Sequence, residues 1–280
     1  KAAVRAPGVQ LPLDAAGGAG GGAGEPPRPG APGPGAPLDD YETSPSQLTS
    51  GVMYWLQRQH GLALRKNDVM DAIMHVAKMN AYDPLKDYLN GVVPDGEEYI
   101  DTFLEKYCGA RTDECGEDIT HTIRKISRHW LLSAVARGLN PGCKADTVMI
   151  FEGEQGIKKS TMLRVLGGAW FTDSPISFKD KDSQMIVGCN WIAELSELAT
   201  VHASDVDTQK SFFSRNFDQF RPPYGYAVEK FLRRCVFAGS TNTEQYHNDT
   251  TGNRRFQPVR CDRFAITRAR RDRDAIWAHA

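Results

Sequence analysis

The chain has 280 residues, a formal net charge of −1, 40% hydrophobic and 25% charged residues, which is the balance of an ordinary globular protein. No run approaches the ~18 apolar residues of a membrane span, and no charged start followed by an apolar run marks a signal peptide. We therefore exclude a membrane protein and expect a cytoplasmic one. Because the chain lacks an initial Met and ends inside a helical pattern, we expect a fragment at one or both ends.

The six cysteines show no CxxC pair and no matching His spacing, so the sequence predicts no structural zinc site. Cys189 and Cys235 lie in apolar runs typical of strands. We predict that they are buried, reduced thiols.

The first half of the chain divides into an arm and a helical domain. Residues 17–37 contain 15 Gly or Pro in 21 positions, too few apolar groups to offset the entropy of ordering. Residues 1–46 are therefore predicted to be a disordered arm. Residues 47–143 form a predicted helical domain, since apolar residues recur three or four apart. The segments with this pattern are 51–59, 66–79, 97–107 and 119–137.

The pattern changes in residues 144–280. An apolar strand at 147–152 is followed by a glycine-containing turn and a helix at 159–166, and further strands are predicted at 189–195 and 235–240. Strands separated by helical segments favour an α/β fold with a largely parallel sheet that is covered on both faces.

The turn after the first strand reads GEQGIKKS, and a strand before it and a helix after it are the context that a phosphate-binding loop (P-loop) requires. Glycines let backbone N–H groups wrap phosphate oxygens, a Lys reaches the β- and γ-phosphates, and a hydroxyl contacts Mg²⁺. The predicted nucleotide contacts are Gly153, Glu154, Gln155, Gly156, Ile157, Lys158, Lys159, Ser160 and Thr161.

Lys158 departs from this pattern, which usually has Gly before the phosphate-binding Lys. If the position needs a positive φ, Lys would cost on the order of 1–2 kcal/mol. An extra cation beside a triphosphate would partly offset that cost. The alternative is an inactive loop.

Two carboxylates stand at the C-terminal end of the next apolar strand, in the segment WIAELSE. A carboxylate at a strand end can contact Mg²⁺, and a second can orient the attacking water. We assign Glu194, with Ser160, to the metal and Glu197 to water activation, although the two carboxylates could exchange roles. An acidic strand end without a catalytic role is the alternative.

The strand CVFAGSTN ends at Asn242, whose amide could hold the attacking water near the γ-phosphate, or could simply be a turn residue. Arg254 and Arg255 follow in the segment GNRRF. They could clamp phosphate, contact DNA, or act as a finger that reaches a neighbouring subunit's nucleotide, and a surface loop is the alternative.

The C-terminal half is basic. From Gln209 to Arg273 there are 14 Lys and Arg and 6 Asp and Glu, a local excess of +8. Basic residues interleaved with aromatic ones, as around Arg215, Arg221 and Tyr224, are typical of nucleic-acid grooves, although a solvated charged face has the same composition.

The ordered motifs GEQGIKKST, WIAELSEL, FDQFRPPYG, RRCVFAGSTN and TGNRRFQPV resemble the virulence-associated E family of phage and mobile-element proteins. PLKDYLNGVVPDG, HWLLSAVARGLNPGCKAD and AWFTDS are also similar to that family, so the likeness runs from about Asp83 to the C-terminus. The family usually has Gly where Lys158 stands, which puts turnover in question more than binding.

The resemblance implies a RecA/AAA-like P-loop NTPase core related to superfamily 3 helicases, with ATP and Mg²⁺ as cofactors. It also implies DNA as a partner, a ring-shaped homo-oligomer and a primase partner. Gly153, Gly156, Lys159 and Ser160 match the phosphate loop, Glu194 and Glu197 the acidic motif, Asn242 the sensor asparagine, and Arg254 or Arg255 the finger. The chain itself shows no acidic metal motif of a primase.

These observations lead us to expect a DNA-dependent ATPase or helicase-like motor in DNA replication. A nucleotide-regulated binding or scaffold protein with little turnover is the first alternative, and Lys158 motivates it. A small-molecule kinase is the second, since phosphate loops serve kinases too.

Overall fold

The computed structural model describes residues 3–4, 45–178, 180–196, 206–222, 227–242 and 255–280. The chain forms two compact units, Ala2–Asp83 and Pro84–Ala280. Most of the predicted arm, and with it the prediction of disorder, lies outside the described residues.

The first unit is built around two helices, α1 (Pro45–His60) and α2 (Lys66–Met79). Helix α1 ends where Gly61 adopts a φ of 66° and Leu62 donates its backbone N–H to the carbonyl of Leu56, the capping arrangement that glycine favours. A two-residue strand β1 (Ala3–Val4), within the predicted arm, pairs with β2 (Ala81–Tyr82). The helices predicted at 51–59 and 66–79 are confirmed.

The second unit begins with helices α3 (Pro84–Gly91), α4 (Phe103–Cys108) and α5 (Thr120–Leu139), and a short hairpin of β3 (Asp113–Glu114) and β4 (Glu117–Asp118) precedes α5. The helix predicted at 97–107 is shorter than expected, because residues 97–99 are irregular and residues 100–102 form a turn before Phe103. The helix predicted at 119–137 is confirmed.

A five-stranded parallel sheet forms the centre of this unit. Its strands in chain order are β5 (Val148–Glu152), β6 (Phe171–Thr172), β7 (Ile192–Ser196), β10 (Val236–Thr241) and β11 (Phe256–Arg260). Their spatial order is β11-β5-β10-β7-β6. The predicted parallel sheet is confirmed, and its strands are apolar because both faces are covered.

Helices cover the two faces of the sheet separately. Met149 and Phe151 of β5 face a core formed with α3–α5, α6 (Lys159–Gly167) and α9 (Ile266–His279). Val148 and Ile150 face the other core, which α7 (Lys181–Cys189) and α8 (Val206–Ser214) complete. A hairpin of β8 (Phe217–Phe220) and β9 (Glu229–Leu232) lies between α8 and β10 in the chain.

Two further features differ from the sequence predictions. The compact unit begins at Pro84, whereas the sequence placed a boundary between residues 143 and 144. The helices α3–α5 share one core with the sheet, and Trp130 of α5 donates its indole N–H to the carbonyl of Phe237 at 2.9 Å. Cys189 is not in a buried strand but ends α7, partly exposed, whereas Cys235 is buried as predicted.

Candidate active site

The loop of residues 153–158 connects strand β5 to helix α6. Gly153 has a φ of 155°, and a Cβ there would lie 2.4 Å from the carbonyl oxygen of Cys261, so no other residue fits without moving the backbone. Gly156 has a φ of 85°. Glu154 and Gln155 are exposed. The two glycines therefore let the chain turn tightly between the strand and the helix.

Lys158 adopts the left-handed conformation, with a φ of 76° and a ψ of 33°, immediately before the first residue of α6. Its side chain is exposed. The strain anticipated from the sequence is therefore present in the backbone.

Replacing Lys158 by Gly is expected to stabilise the protein by about 0.5–1 kcal/mol, because relief of the left-handed strain exceeds the added freedom of the unfolded chain. Urea unfolding of the full chain measures the change. Lys158→Ala is the matched control, since it removes the same side chain and keeps the strain. Equal stability of the two variants would contradict the prediction.

Lys159, the first residue of α6, is 7% exposed and points back over the loop. Its ammonium donates to the carbonyl oxygens of Gly153 at 2.6 Å and Glu154 at 2.8 Å, and to Oδ1 of Asn242 at 2.8 Å. Burial lowers the pKa of Lys159, while nearby acidic groups, including Glu194, act in the opposite direction. All three donors of the ammonium are thus engaged.

Glu194 is the second buried charged residue of the site, after Lys159. It is 2% exposed, and its Oε1 accepts hydrogen bonds from Ser160 Oγ at 2.6 Å and Ser240 Oγ at 2.7 Å. Its Oε2 is buried and has no hydrogen-bond partner within the described part of the chain. A buried carboxylate oxygen normally has a partner, so this oxygen points to a ligand.

Three neighbouring strands bring these groups together. β10 lies between β5 and β7, and its register pairs Ala238 with both Met149 and Glu194. Parallel strands place their carboxyl ends at one edge of the sheet, which is where open α/β sheets bind ligands. Lys159, Ser160, Glu194 and Asn242, predicted from separate motifs, therefore meet at this edge.

The remaining predicted residues do not join this group. Arg255 precedes Phe256, which pairs with Val148 at the opposite end of β5, about 16 Å of extended chain from the loop. Its Nε donates to Ser214 Oγ at 3.1 Å. Ile157 and Thr161 are half-buried. Glu197 and Arg254 lie outside the described residues.

Ser240 is a site residue that sequence reasoning missed. It lies near the end of β10, two positions before Asn242, so the alternation of side chains along a strand was a usable signal. Its bond to Glu194, however, depends on the pairing of β10 with β7, which the local sequence does not indicate.

The pair of Ser160 and Glu194 could hold a magnesium ion. Mg²⁺ prefers oxygen ligands and keeps several waters, so one carboxylate and one hydroxyl suffice beside substrate phosphates. The partnerless Oε2 of Glu194 fits that requirement. No group of three or more His, Cys, Asp or Glu capable of holding a metal occurs among the described residues.

Some of the arginines that make the C-terminal half basic are bonded to groups of the protein itself. Arg233 is buried and bonds both carboxylate oxygens of Asp218, at 2.6 and 2.8 Å. Arg273 donates to the carbonyl of Leu166 at 3.1 Å. Arg263 and Arg270, by contrast, are exposed. The net charge of this half therefore overstates the positive surface available to a partner.

Comparison with known families identifies the chain. The Virulence-associated protein E-like domain matches residues 89–280, which is more than half of the sequence. The chain belongs to this family. The match begins within α3 and includes the whole parallel sheet, so the family likeness and the compact unit from Pro84 cover almost the same residues. A search of curated proteins found no match.

Solved structures of the NrS-1 C-terminal region match this family member. One apo structure aligns with a TM-score of 0.51 at 13% identity, covering 82% of this chain and 60% of the other. Another has a TM-score of 0.46 at 15% identity and covers 68% of this chain and 47% of the other. The chain thus spans less than two thirds of the structures that it matches. Among the described residues no helix has the length and apolarity to cross a bilayer.

Proposed function

We propose that this protein is a magnesium-dependent ATPase of the P-loop class, with a RecA/AAA-like core related to superfamily 3 helicases, that acts on DNA in the replication of a phage or mobile element. The observation that carries the proposal is the convergence of Lys159, Glu194 and Asn242 at one edge of the sheet. Membership of the family supports the replication role.

The loop residues would bind the triphosphate. Gly153 and Gly156 free the backbone to wrap the phosphates, and the start of α6 directs unpaired N–H groups at them. The Lys159 ammonium would exchange its contacts with loop carbonyls for phosphate oxygens, which are stronger acceptors because they are charged. The loop therefore offers both the shape and the charge that a nucleotide requires.

Ser160 and Glu194 would hold Mg²⁺, which when bound neutralises charge on the β- and γ-phosphates. Asn242 would orient the attacking water once the Lys159 ammonium turns to phosphate. Glu197 remains our proposal for activating that water. Arg255 lies too far from its own chain's loop to reach the nucleotide there, so it or Arg254 would serve a neighbouring subunit in a ring-shaped homo-oligomer.

The β8–β9 hairpin is the surface best suited to single-stranded DNA. Phe217, Gln219, Lys230 and Leu232 share its outer face and are all exposed. The Lys230 ammonium lies 4.0 Å from the centre of the Phe217 ring. An exposed aromatic ring stacks on bases, and a cation beside it attracts the phosphate backbone. The hairpin therefore combines both elements of sequence-independent binding.

The decisive experiment compares phosphate release from ATP by the purified full chain with and without single-stranded DNA, in Mg²⁺ and in EDTA. We expect hydrolysis that requires Mg²⁺ and rises with DNA. The oligomer mass, measured with and without nucleotide, is expected to increase when ATP binds. A monomer with ATPase activity that DNA does not change would contradict a ring-shaped motor.

The second candidate function is a nucleotide-regulated binding protein with little turnover. Two observations favour it: Lys158 strains the loop, and Lys159 is engaged by three acceptors of the chain itself. ATP binding detected by calorimetry without phosphate release, with or without DNA, would support this function over the motor. Transfer of phosphate to nucleosides or sugars would instead indicate a small-molecule kinase.

A further inference from the structure

The root of the β8–β9 hairpin contains a buried ion pair that the proposed ATPase chemistry does not use. Arg233 directly follows β9 and is 1% exposed, and Asp218 of β8 is 3% exposed. Two hydrogen bonds join the guanidinium to the carboxylate, and a third reaches the carbonyl of Phe212 at the end of α8. The Arg233 guanidinium also lies 4.2 Å from the centre of the Phe212 ring.

A second buried arginine holds the backbone on both sides of the same hairpin. Arg137 of α5 is 1% exposed, and its guanidinium donates to the carbonyls of Arg215 at 3.3 Å and Arg233 at 3.4 Å. Arg215 precedes β8 and Arg233 follows β9, so one side chain spans the entry and the exit of the hairpin. The N–H of Gly142 also donates to the Arg233 carbonyl, at 2.7 Å.

The same root leads directly into the strand that ends at the candidate active site. Arg233 is three residues before Val236, the first residue of β10. At the other end of β10, Ser240 contacts Glu194, and Asn242 contacts Lys159. β10 is paired along its length with β5 and β7. A movement of the hairpin root is therefore transmitted along β10, a stiff strand about 20 Å long. The far end of this strand contacts both Glu194 and Lys159.

Stability alone is a weak reason for this ion pair. Replacing a buried pair by apolar residues of similar volume is often neutral or stabilising, because desolvation offsets the attraction between the charges. The pair instead provides a defined geometry, because two parallel hydrogen bonds fix the angle between the Arg233 guanidinium and the Asp218 carboxylate. The pair therefore sets the orientation of the hairpin relative to β10.

We infer that Arg233 and Asp218, supported by Arg137, are positioning residues that join the hairpin to β10 as one rigid body, so that DNA held by the hairpin and nucleotide held by the loop influence each other. The inference rests on the proposed function, in which the hairpin binds DNA and the loop binds ATP. Because linkage is reciprocal, nucleotide must change DNA affinity by the same factor as DNA changes nucleotide affinity.

The test uses the full chain with Asp218→Leu and Arg233→Met combined, which preserves apolar packing and removes the directional bonds. Fluorescence anisotropy gives the Kd for labelled oligo(dT) with and without a non-hydrolysable ATP analogue, and phosphate release gives the DNA stimulation. In the wild type we expect the analogue to change the DNA Kd by about fivefold or more. In the variant we expect that factor and the DNA stimulation to fall close to 1, while the Kd without nucleotide and the basal ATPase rate stay within about twofold of the wild type.

The control is Asp101→Leu with Arg128→Met, which removes a solvent-accessible ion pair nine residues before Arg137 on α5, and it should retain the coupling. Thermal unfolding checks that both variants fold. If the first variant does not fold, Arg233→Lys, which keeps the charge but loses the two parallel hydrogen bonds to Asp218, replaces it with the same expectation. The inference is overturned if a folded hairpin variant retains the coupling, or if that variant no longer binds DNA without nucleotide.

The inference is also overturned if nucleotide does not change the DNA affinity of the wild type. If the wild type shows coupling but does not hydrolyse ATP, only the proposed ATPase activity is contradicted.

Discussion

Replacing Lys159 by Ala is expected to reduce ATP hydrolysis on the order of 10²–10³-fold or more, because a preorganised cation at the transferring phosphate stabilises the charge of the transition state. The ammonium lies over the loop, where Gly153, Glu154 and Asn242 accept its three hydrogen bonds, and a bound phosphate would replace the loop carbonyls as its acceptors. Phosphate release at saturating ATP measures the effect.

The adjacent Lys158 supplies the matched control. Lys158→Ala removes an exposed ammonium from the preceding position in the chain. We expect hydrolysis within about fivefold of the wild type, as for a residue that does not act on the transition state. Thermal unfolding shows whether loss of the three Lys159 hydrogen bonds disturbs the fold. If Lys159→Ala hydrolyses ATP as fast as the wild type, the assignment of the phosphate loop is wrong.

Glu194→Gln is expected to lower the ATPase rate on the order of 10²-fold and to raise the Mg²⁺ concentration needed for half-maximal activity. Gln keeps an oxygen that can accept from Ser160 and Ser240, but it replaces the charged, partnerless Oε2 with a neutral amide. The fold should therefore survive, while the attraction for a divalent cation is lost. A titration of ATPase activity with Mg²⁺, together with calorimetric ATP binding, separates the two effects.

Asp173→Asn is the control for Glu194. Asp173 follows β6 at the same edge of the sheet, beside β7, but it is half-exposed and pairs with Arg164. We expect its loss to leave the Mg²⁺ dependence unchanged. If Glu194→Gln behaves like this control, Glu194 does not contact the metal, and Glu197→Gln then tests the other carboxylate of the motif.

Local sequence was sufficient for much of the candidate site. The two glycines, the Lys and the Ser stand between an apolar strand and a helix, and the structure places them on such a turn. The prediction that Lys158 would be strained if its φ were positive also needed only the local pattern, and its φ is 76°. Local periodicity was equally reliable for α2, which spans the predicted residues 66–79.

Non-local packing limited the predictions elsewhere. Cys189 belongs to an apolar run that suits a strand or a helix, and its packing selected the end of α7. The predicted basic surface counted Arg233 together with the exposed Arg270, because composition does not distinguish a buried, paired arginine from a solvated one. The boundary expected at residue 144 followed the change of secondary structure, whereas the core joins α3–α5 to the sheet.

By itself, the sequence determined the loop with its glycines, the apolar strand that carries Glu194, the apolar strand that precedes Asn242, and the order of these motifs along the chain. Each of these features depends on residues adjacent in sequence. Only the tertiary structure decided that β10 lies between β5 and β7, which brings Lys159, Ser240 and Glu194 to one edge and leaves Arg255 at the other. Strand order follows from packing between distant segments and from backbone pairing, and every parallel strand presents the same backbone groups. The neighbours of a strand are therefore set by the whole core that it helps to bury.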